Sequence, residues 1–167
     1  MNRILLLSAL VIFSLTVNAQ KRHKLLKEYK KGGIEKAIDV KEVQIDDVIG
    51  TARYFLGIEH KMGGTDHKGL DCSGLVYASF KKHGIQVPRS SSEQGRVGKF
   101  IGSKNRLQYG DLVFFHMDWD SEKIVNHVGI YLGDDEFIHV STSKGCIISR
   151  LDNEVWKKSF LFATRVW

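Results

Sequence analysis

The stretch Asp71-Cys72-Ser73-Gly74-Leu75-Val76-Tyr77-Ala78-Ser79-Phe80-Lys81-Lys82-His83-Gly84 decides how this chain folds. Its apolar residues Leu75, Val76, Ala78 and Phe80 recur at helical rather than alternating spacing. Asp71 is a suitable N-cap and Gly84 a suitable C-terminal stop, so the spacing predicts a helix that opens at Cys72. A cysteine in a first helical turn faces unpaired backbone N–H groups and the positive end of the helix dipole. Both favour the thiolate, lowering a cysteine pKa from about 8.5 into a reactive range. Cys72 is then either a nucleophile or a small buried hydrophobe.

On either side of this helix the pattern stays legible. Upstream, Val48, Ile49, Ala52, Phe55 and Leu56 mark an amphipathic helix with Asp46 and Asp47 in its first turn and a stop at Gly57. Residues 58–70 form a polar loop around Gly63-Gly64, placed to wall a cleft beside Cys72. Downstream, Ile85 to Pro88 is short and extended, and Arg89 to Gln94 has the polar content of a cap or turn. From Gly110 the texture changes to strands over residues 111–115, 127–132, 136–141, 146–151 and 160–167. Helices first and an antiparallel meander afterwards make an α+β layout. Asp118, Asp120 and Glu122 between the first two strands do not have calcium-loop spacing and read as a solvated rim.

Two of these strands bear histidines. His127-Val128-Gly129-Ile130-Tyr131-Leu132 and Glu136-Phe137-Ile138-His139-Val140-Ser141 flank Gly133-Asp134-Asp135. A three-residue loop sets His127 opposite Ser141 and makes His139 its diagonal neighbour on one face. A two-residue Asp134-Asp135 loop would put the histidines on opposite faces. With the first register, His127 can take the Cys72 proton to form a thiolate-imidazolium pair while His139 orients the His127 ring. An oxyanion would be met by the Cys72 backbone N–H and a donor from the preceding loop. His60, His67 and Cys72 would be the alternative, a metal site, but their spacing contains no tight ligand pair.

The termini and charge bound the setting. Met1-Asn2-Arg3, an apolar run from Ile4 to Val17 and the small-residue pattern Val17-Asn18-Ala19 predict a cleaved signal peptide over 1–19. A basic, mobile lead over 20–41 follows, then one domain over 42–167. The formal net charge is +6, and it is concentrated in the lead, where Lys21, Arg22, Lys24, Lys27, Lys30, Lys31 and Lys36 face only Glu28 and Glu35 before Asp39. That lead could contact an anionic envelope surface or be a solvated linker. A charge-balanced body argues against nucleic-acid binding. Cys72 and Cys146 are the only cysteines in the 167 residues. An exported chain could pair them, but Cys146 sits in a strand pattern where it would pack as a hydrophobe.

Five motifs in series carry a resemblance: Asp-Cys-Ser-Gly-Leu-Val at 71–76, Pro-Arg-Ser-Ser-Ser-Glu-Gln at 88–94, Tyr-Gly-Asp-Leu-Val-Phe-Phe at 109–115, His-Val-Gly-Ile-Tyr-Leu-Gly at 127–133 and Phe-Ile-His-Val-Ser at 137–141. Together they resemble the NlpC-type cell-wall cysteine peptidases over roughly Asp46 to Trp167. The resemblance implies a papain-like fold, with the nucleophile helix packed on a C-terminal antiparallel sheet. It implies hydrolysis of amide bonds in peptidoglycan stem peptides or cross-links by Cys72, His127 and His139, with no cofactor and no metal. Asp71, Ser73 and Arg89 match substrate-binding positions. His60 stands where many relatives have a tyrosine, and is expected to line the cleft. The expected protein is an exported monomer of the periplasm or cell envelope. An acyltransferase with the same thiol chemistry, or a non-catalytic wall-binding module, is the alternative.

Overall fold

The computed structural model describes residues 20–40, 42–118 and 121–167; the expected signal peptide lies outside them. The chain divides into two compact units, before and after the Gly33/Ile34 junction. In the first, residues 20–31 form helix α1, where a mobile lead was expected. Lys and Leu are good helix formers, and Lys31 pairs with Glu28 at 2.7 Å one turn away. Gly33, at φ +83°, follows the helix end. The second unit begins at Ile34. Lys36 N–H donates to the Arg96 carbonyl at 2.8 Å, and Gly98 N–H to the Lys36 carbonyl at 3.0 Å, tying this segment to the body. None of the helices among the described residues is long and apolar enough to cross a membrane.

Helix α2 (Ile45–Tyr54) buries Val48, Ile49 and Ala52, and Gly57 beyond it takes φ +84°. The loop expected over 58–70 contains a small antiparallel pair, β1 (Thr65–Asp66) with β2 (Gly69–Leu70). Helix α3 (Cys72–Lys81) follows, and its Leu75, Val76 and Phe80 are fully buried. Each such side chain contributes about 1.5–3 kcal/mol by leaving water. A short helix α4 (Ser91–Gln94) starts at Ser90, whose hydroxyl caps Glu93 N–H.

The sheet is antiparallel throughout, in the order β3-β8-β4-β5-β6-β7. Its strands are β3 (Lys99–Ile101), β4 (Leu112–Phe115), β5 (His127–Gly133), β6 (Glu136–Ser141), β7 (Gly145–Arg150) and β8 (Phe160–Arg165). It is a meander only from β4 to β7; β8 returns to lie between β3 and β4. Helix α5 (Glu154–Ser159), absent from the sequence reading, precedes β8. Helix α3 packs against β5 and β6, which is the papain-like α+β arrangement expected.

The β5–β6 register meets the expectation by a different route. Gly129 pairs with His139 and Tyr131 with Phe137, but Gly133 pairs with Glu136, so Leu132 is a bulge residue. The turn itself is the two-residue Asp134-Asp135, both with positive φ (49° and 61°). A two-residue turn alone would have opposed the histidines. The extra residue at Leu132 restores the parity and returns both to one face.

Candidate active site

Cys72 opens α3 because Asp71 caps it: the Asp71 carboxylate accepts from Gly74 N–H at 2.6 Å and from Gly63 N–H at 2.8 Å. The capping loop lies so close that a Cβ on Gly74 would strike the Gly64 carbonyl, and one on Gly64 the Gly69 carbonyl. Small residues there let the loop lie against the first helical turn. Arg89 binds the same carboxylate with both arms, Nη1 to Oδ1 at 2.9 Å and Nη2 to Oδ2 at 2.7 Å. It also donates to Ser73 Oγ at 2.9 Å and to the Gly64 carbonyl at 3.2 Å. Asp71, Ser73 and Arg89, expected as substrate-binding residues, therefore form one network beneath Cys72. The Arg89 and backbone hydrogen bonds hold the Asp71 carboxyl below its usual range despite the opposing effect of burial.

The electrostatics at Cys72 differ from the sequence argument. Burial, and next the Asp71 carboxylate, push its thiol up, while the backbone N–H groups of Val128, Ser73 and Cys72 pull the other way. The helix start is present, but the shift at Cys72 runs upward, opposite to the lowering expected from it. Desolvation disfavours the anion more than the exposed backbone donors favour it. Helix α3, which Cys72 opens, packs on β5 and β6, and the Val128 backbone N–H that acts on the thiol lies one residue beyond His127.

His127 Nε2 lies 3.0 Å from His139 Nδ1, and His139 Nε2 lies 2.9 Å from Ser149 Oγ. Burial, helped by the neighbouring His139, lowers His127 to about 3. Burial lowers His139 to about 4, against the opposing Val140 backbone. Burial thus biases both rings toward the neutral imidazole and Cys72 toward the thiol. Gly129 leaves room for this pair: a Cβ there would lie 2.6 Å from Phe137 Cδ2, 2.7 Å from the Ile138 carbonyl and 3.2 Å from His139 Cβ.

Two neighbours were not anticipated. Ser149 comes from β7, where Phe137 pairs with Ser149, setting its hydroxyl diagonally across from His139. Trp156 comes from α5, and its ring centroid is 5.5 Å from that of His127 and 4.7 Å from that of His139. Asn153, which caps α5 through Val155 N–H, was the available sequence signal. Trp156 and both histidines line a cavity of about 410 Å³ that also meets Asn126, Ser141 and Thr142.

His60 is half-buried and bridges Leu70 through the backbone, two residues before Cys72. His67 instead packs on Tyr54 and Phe55. Among the described residues no group of three or more His, Cys, Asp or Glu side chains is arranged to hold a metal ion. Both cysteines are free, and burial pushes the Cys146 thiol in β7 up to about 12.

Residues 57–165 match the NlpC/P60 family. The chain is 42% identical over 111 residues to murein DD-endopeptidase MepS/murein LD-carboxypeptidase of Escherichia coli (strain K12), covering 66% of this chain and 56% of that one. It is also 42% identical over 101 residues to a gamma-D-glutamyl-L-lysine dipeptidyl-peptidase of Bacillus cereus (strain ATCC 10987 / NRS 248), covering 60% of this chain and 30% of that one. Among solved structures, an NlpC/P60 family protein from Bacillus cereus ATCC 10987 superposes with a TM-score of 0.68 at 36% identity, over 77% of this chain and 42% of that one. The chain thus spans little more than half the length of the first of these relatives, and less of the other two.

Proposed function

The chain belongs to the NlpC/P60 family, and from that premise we propose that it is a cysteine peptidase hydrolysing amide bonds in the peptides of peptidoglycan. Cys72 is the nucleophile, His127 the general base and His139 the residue that orients it. The observation that supports this most is that α3, opened by Cys72, packs on the β5–β6 hairpin, which carries a His127–His139 hydrogen bond of 3.0 Å.

The chemistry follows from neutral reactants. As Cys72 Sγ attacks the substrate carbonyl carbon, its proton passes to His127, and the carbonyl π electrons move onto oxygen. Backbone N–H groups at the start of α3 stabilise that oxyanion. Collapse expels the amine, which takes the proton from His127 and leaves a thioester. Water then attacks the thioester with His127 as base, releasing the carboxylate and restoring the Cys72 thiol. Low histidine pKa values keep the base unprotonated beforehand.

In this reading His60 and the part-exposed Arg89 meet the substrate, while the buried Asp71 and Ser73 act through Arg89 and the loop before Cys72. The two relatives are named for different bonds, so either a stem-peptide or a cross-link amide is the target class. The enzyme would act as an exported monomer in the envelope, with the basic residues from Lys21 to Lys36 drawn to anionic wall polymer or lipid. Purified peptidoglycan digested with wild type and Cys72→Ala, followed by mass analysis, tests the proposal. New peptide fragments should form only with wild type. Equal digestion by a folded Cys72→Ala would refute it.

A further inference from the structure

We propose that Ser149 is a positioning residue whose hydroxyl accepts a hydrogen bond from His139 Nε2–H and thereby keeps His127 Nδ1 unprotonated. The inference rests on His127 being the base and extends that reading to the proton arrangement of the resting site.

The three groups form one hydrogen-bonded row: His127 Nε2 to His139 Nδ1 at 3.0 Å, and His139 Nε2 to Ser149 Oγ at 2.9 Å. A neutral imidazole carries one N–H and one lone pair, so the row has two self-consistent directions. In the first, His127 Nε2–H donates to His139 Nδ1, and His139 Nε2–H donates to Ser149 Oγ. His127 Nδ1 then has its lone pair available to the Cys72 thiol. In the second, the Ser149 hydroxyl donates to His139 Nε2, His139 Nδ1–H donates to His127 Nε2, and His127 Nδ1 bears the proton. That ring cannot act as base at Nδ1.

The catalytic cycle separates the two. Once His127 has taken the thiol proton it carries N–H on both nitrogens, and its Nε2–H needs an acceptor at His139 Nδ1. Only the first direction supplies that acceptor before and after transfer, with His139 keeping a single tautomer. Ring rotation is a poor alternative, because Phe137 stacks on His139 at 4.8 Å and Trp156 meets it edge-on at 4.7 Å. The tautomer is therefore the freedom left to His139, and Ser149 is the group at its far nitrogen. The Phe137–Ser149 pairing sets Ser149 on that face, and its hydroxyl lies 2.9 Å from His139 Nε2.

The test is ¹⁵N spectroscopy of histidine-labelled wild type, Ser149→Ala and Ser149→Thr at pH 7, together with kcat and KM for release of peptide fragments from soluble peptidoglycan. Wild-type His139 should be protonated at Nε2. Ser149→Ala should shift part of the His139 population to Nδ1–H and lower kcat roughly ten-fold with KM changed less than about two-fold. Ser149→Thr, which keeps a hydroxyl, should restore both. Wild-type His139 protonated at Nδ1 would overturn the proposal, and this arm needs no variant to fold. A fall in kcat with the tautomer unmoved, or no change in either, would also overturn it. Hydrolysis that survives Cys72→Ala is a different failure, that of the reading beneath.

Discussion

Replacing Gly129 by alanine is the sharpest test of how the hairpin supports the site. The added methyl would lie 2.6 Å from Phe137 Cδ2 and 2.7 Å from the Ile138 carbonyl oxygen. Ordinary carbon-carbon separation is about 3.5 Å, so β6 or the Phe137 ring must retreat by roughly 0.9 Å. The ring has little room, being packed on Phe115 at 5.2 Å and on Trp156 at 4.9 Å. The carbonyl is backbone in the strand that carries His139, so relief moves His139 away from His127 and stretches their 3.0 Å contact beyond hydrogen-bond range. Overpacking of this kind costs about 1–3 kcal/mol, and a misplacement near 1 Å costs on the order of 100-fold in rate. Thermal unfolding and kcat on soluble peptidoglycan fragments, measured side by side, should both fall. Gly50→Ala is the control, since Gly50 lies in α2 with nothing within 4 Å of its Cβ position. It should stabilise the fold by about 0.5–1 kcal/mol and leave kcat unchanged. Wild-type stability and rate in Gly129→Ala would refute the reasoning. Lost stability with full activity would refute the part that links hairpin spacing to His139.

The other predictions concern charge. Arg89→Met removes a bidentate partner from a largely buried carboxylate; allowing for the partial exposure of Arg89 and the N–H bonds Asp71 keeps, it should destabilise by about 1–2 kcal/mol in chemical denaturation. Because the Asp71 carboxyl is held low in the folded state, this difference is full above its unfolded pKa of about 3.9 and should shrink as pH falls through the folded value; a constant difference down to pH 2 would count against it. His127 and His139, lowered to about 3 and about 4, bind protons more readily unfolded. Wild-type stability should therefore decline as pH drops from about 6.5 toward 4, and His139→Gln should flatten the slope; an unchanged slope would contradict the assignment. Trp156→Ala should admit water to both rings, raise the His127 pKa and move the acid limb of the kcat profile to higher pH, whereas a lower kcat with an unmoved limb would show that Trp156 does not govern the proton affinity.

How much of this was legible in the chain depends on the range of the determinant. Helix α3 and its first-turn cysteine were readable because capping, periodicity and the Gly84 stop are all local. The β5–β6 pair was readable only conditionally: Gly133, which takes φ +89°, followed by Asp134-Asp135 fits either a three-residue loop or a two-residue turn with a bulge at Leu132, and both put the histidines on one face, whereas a plain two-residue turn does not. Helix α1 was hidden by charge content that reads equally as a solvated lead, and α5 by its shortness, six residues with Val155 exposed and Trp156 held by tertiary packing. Ser149 needed two successive registers to be correct before its hydroxyl could be set beside His139.

The charge state of the site was the least legible part, for a physical reason. A helix start contributes a local preference for thiolate that follows from sequence position alone. The opposing influence is the removal of water by β5, β6 and the α5 tryptophan, elements spread over most of the domain. The same desolvation raises Cys72 and lowers both histidines, biasing thiol and imidazole together toward neutrality. In the proposed reaction the proton moves from Cys72 to His127 as substrate brings a developing oxyanion to the start of α3, the step where the backbone donors gain a charge to stabilise. Alkylation of resting Cys72 should accordingly accelerate only above the pH of an ordinary cysteine, and an alkylation midpoint below pH 7 would show the ion pair to be preformed.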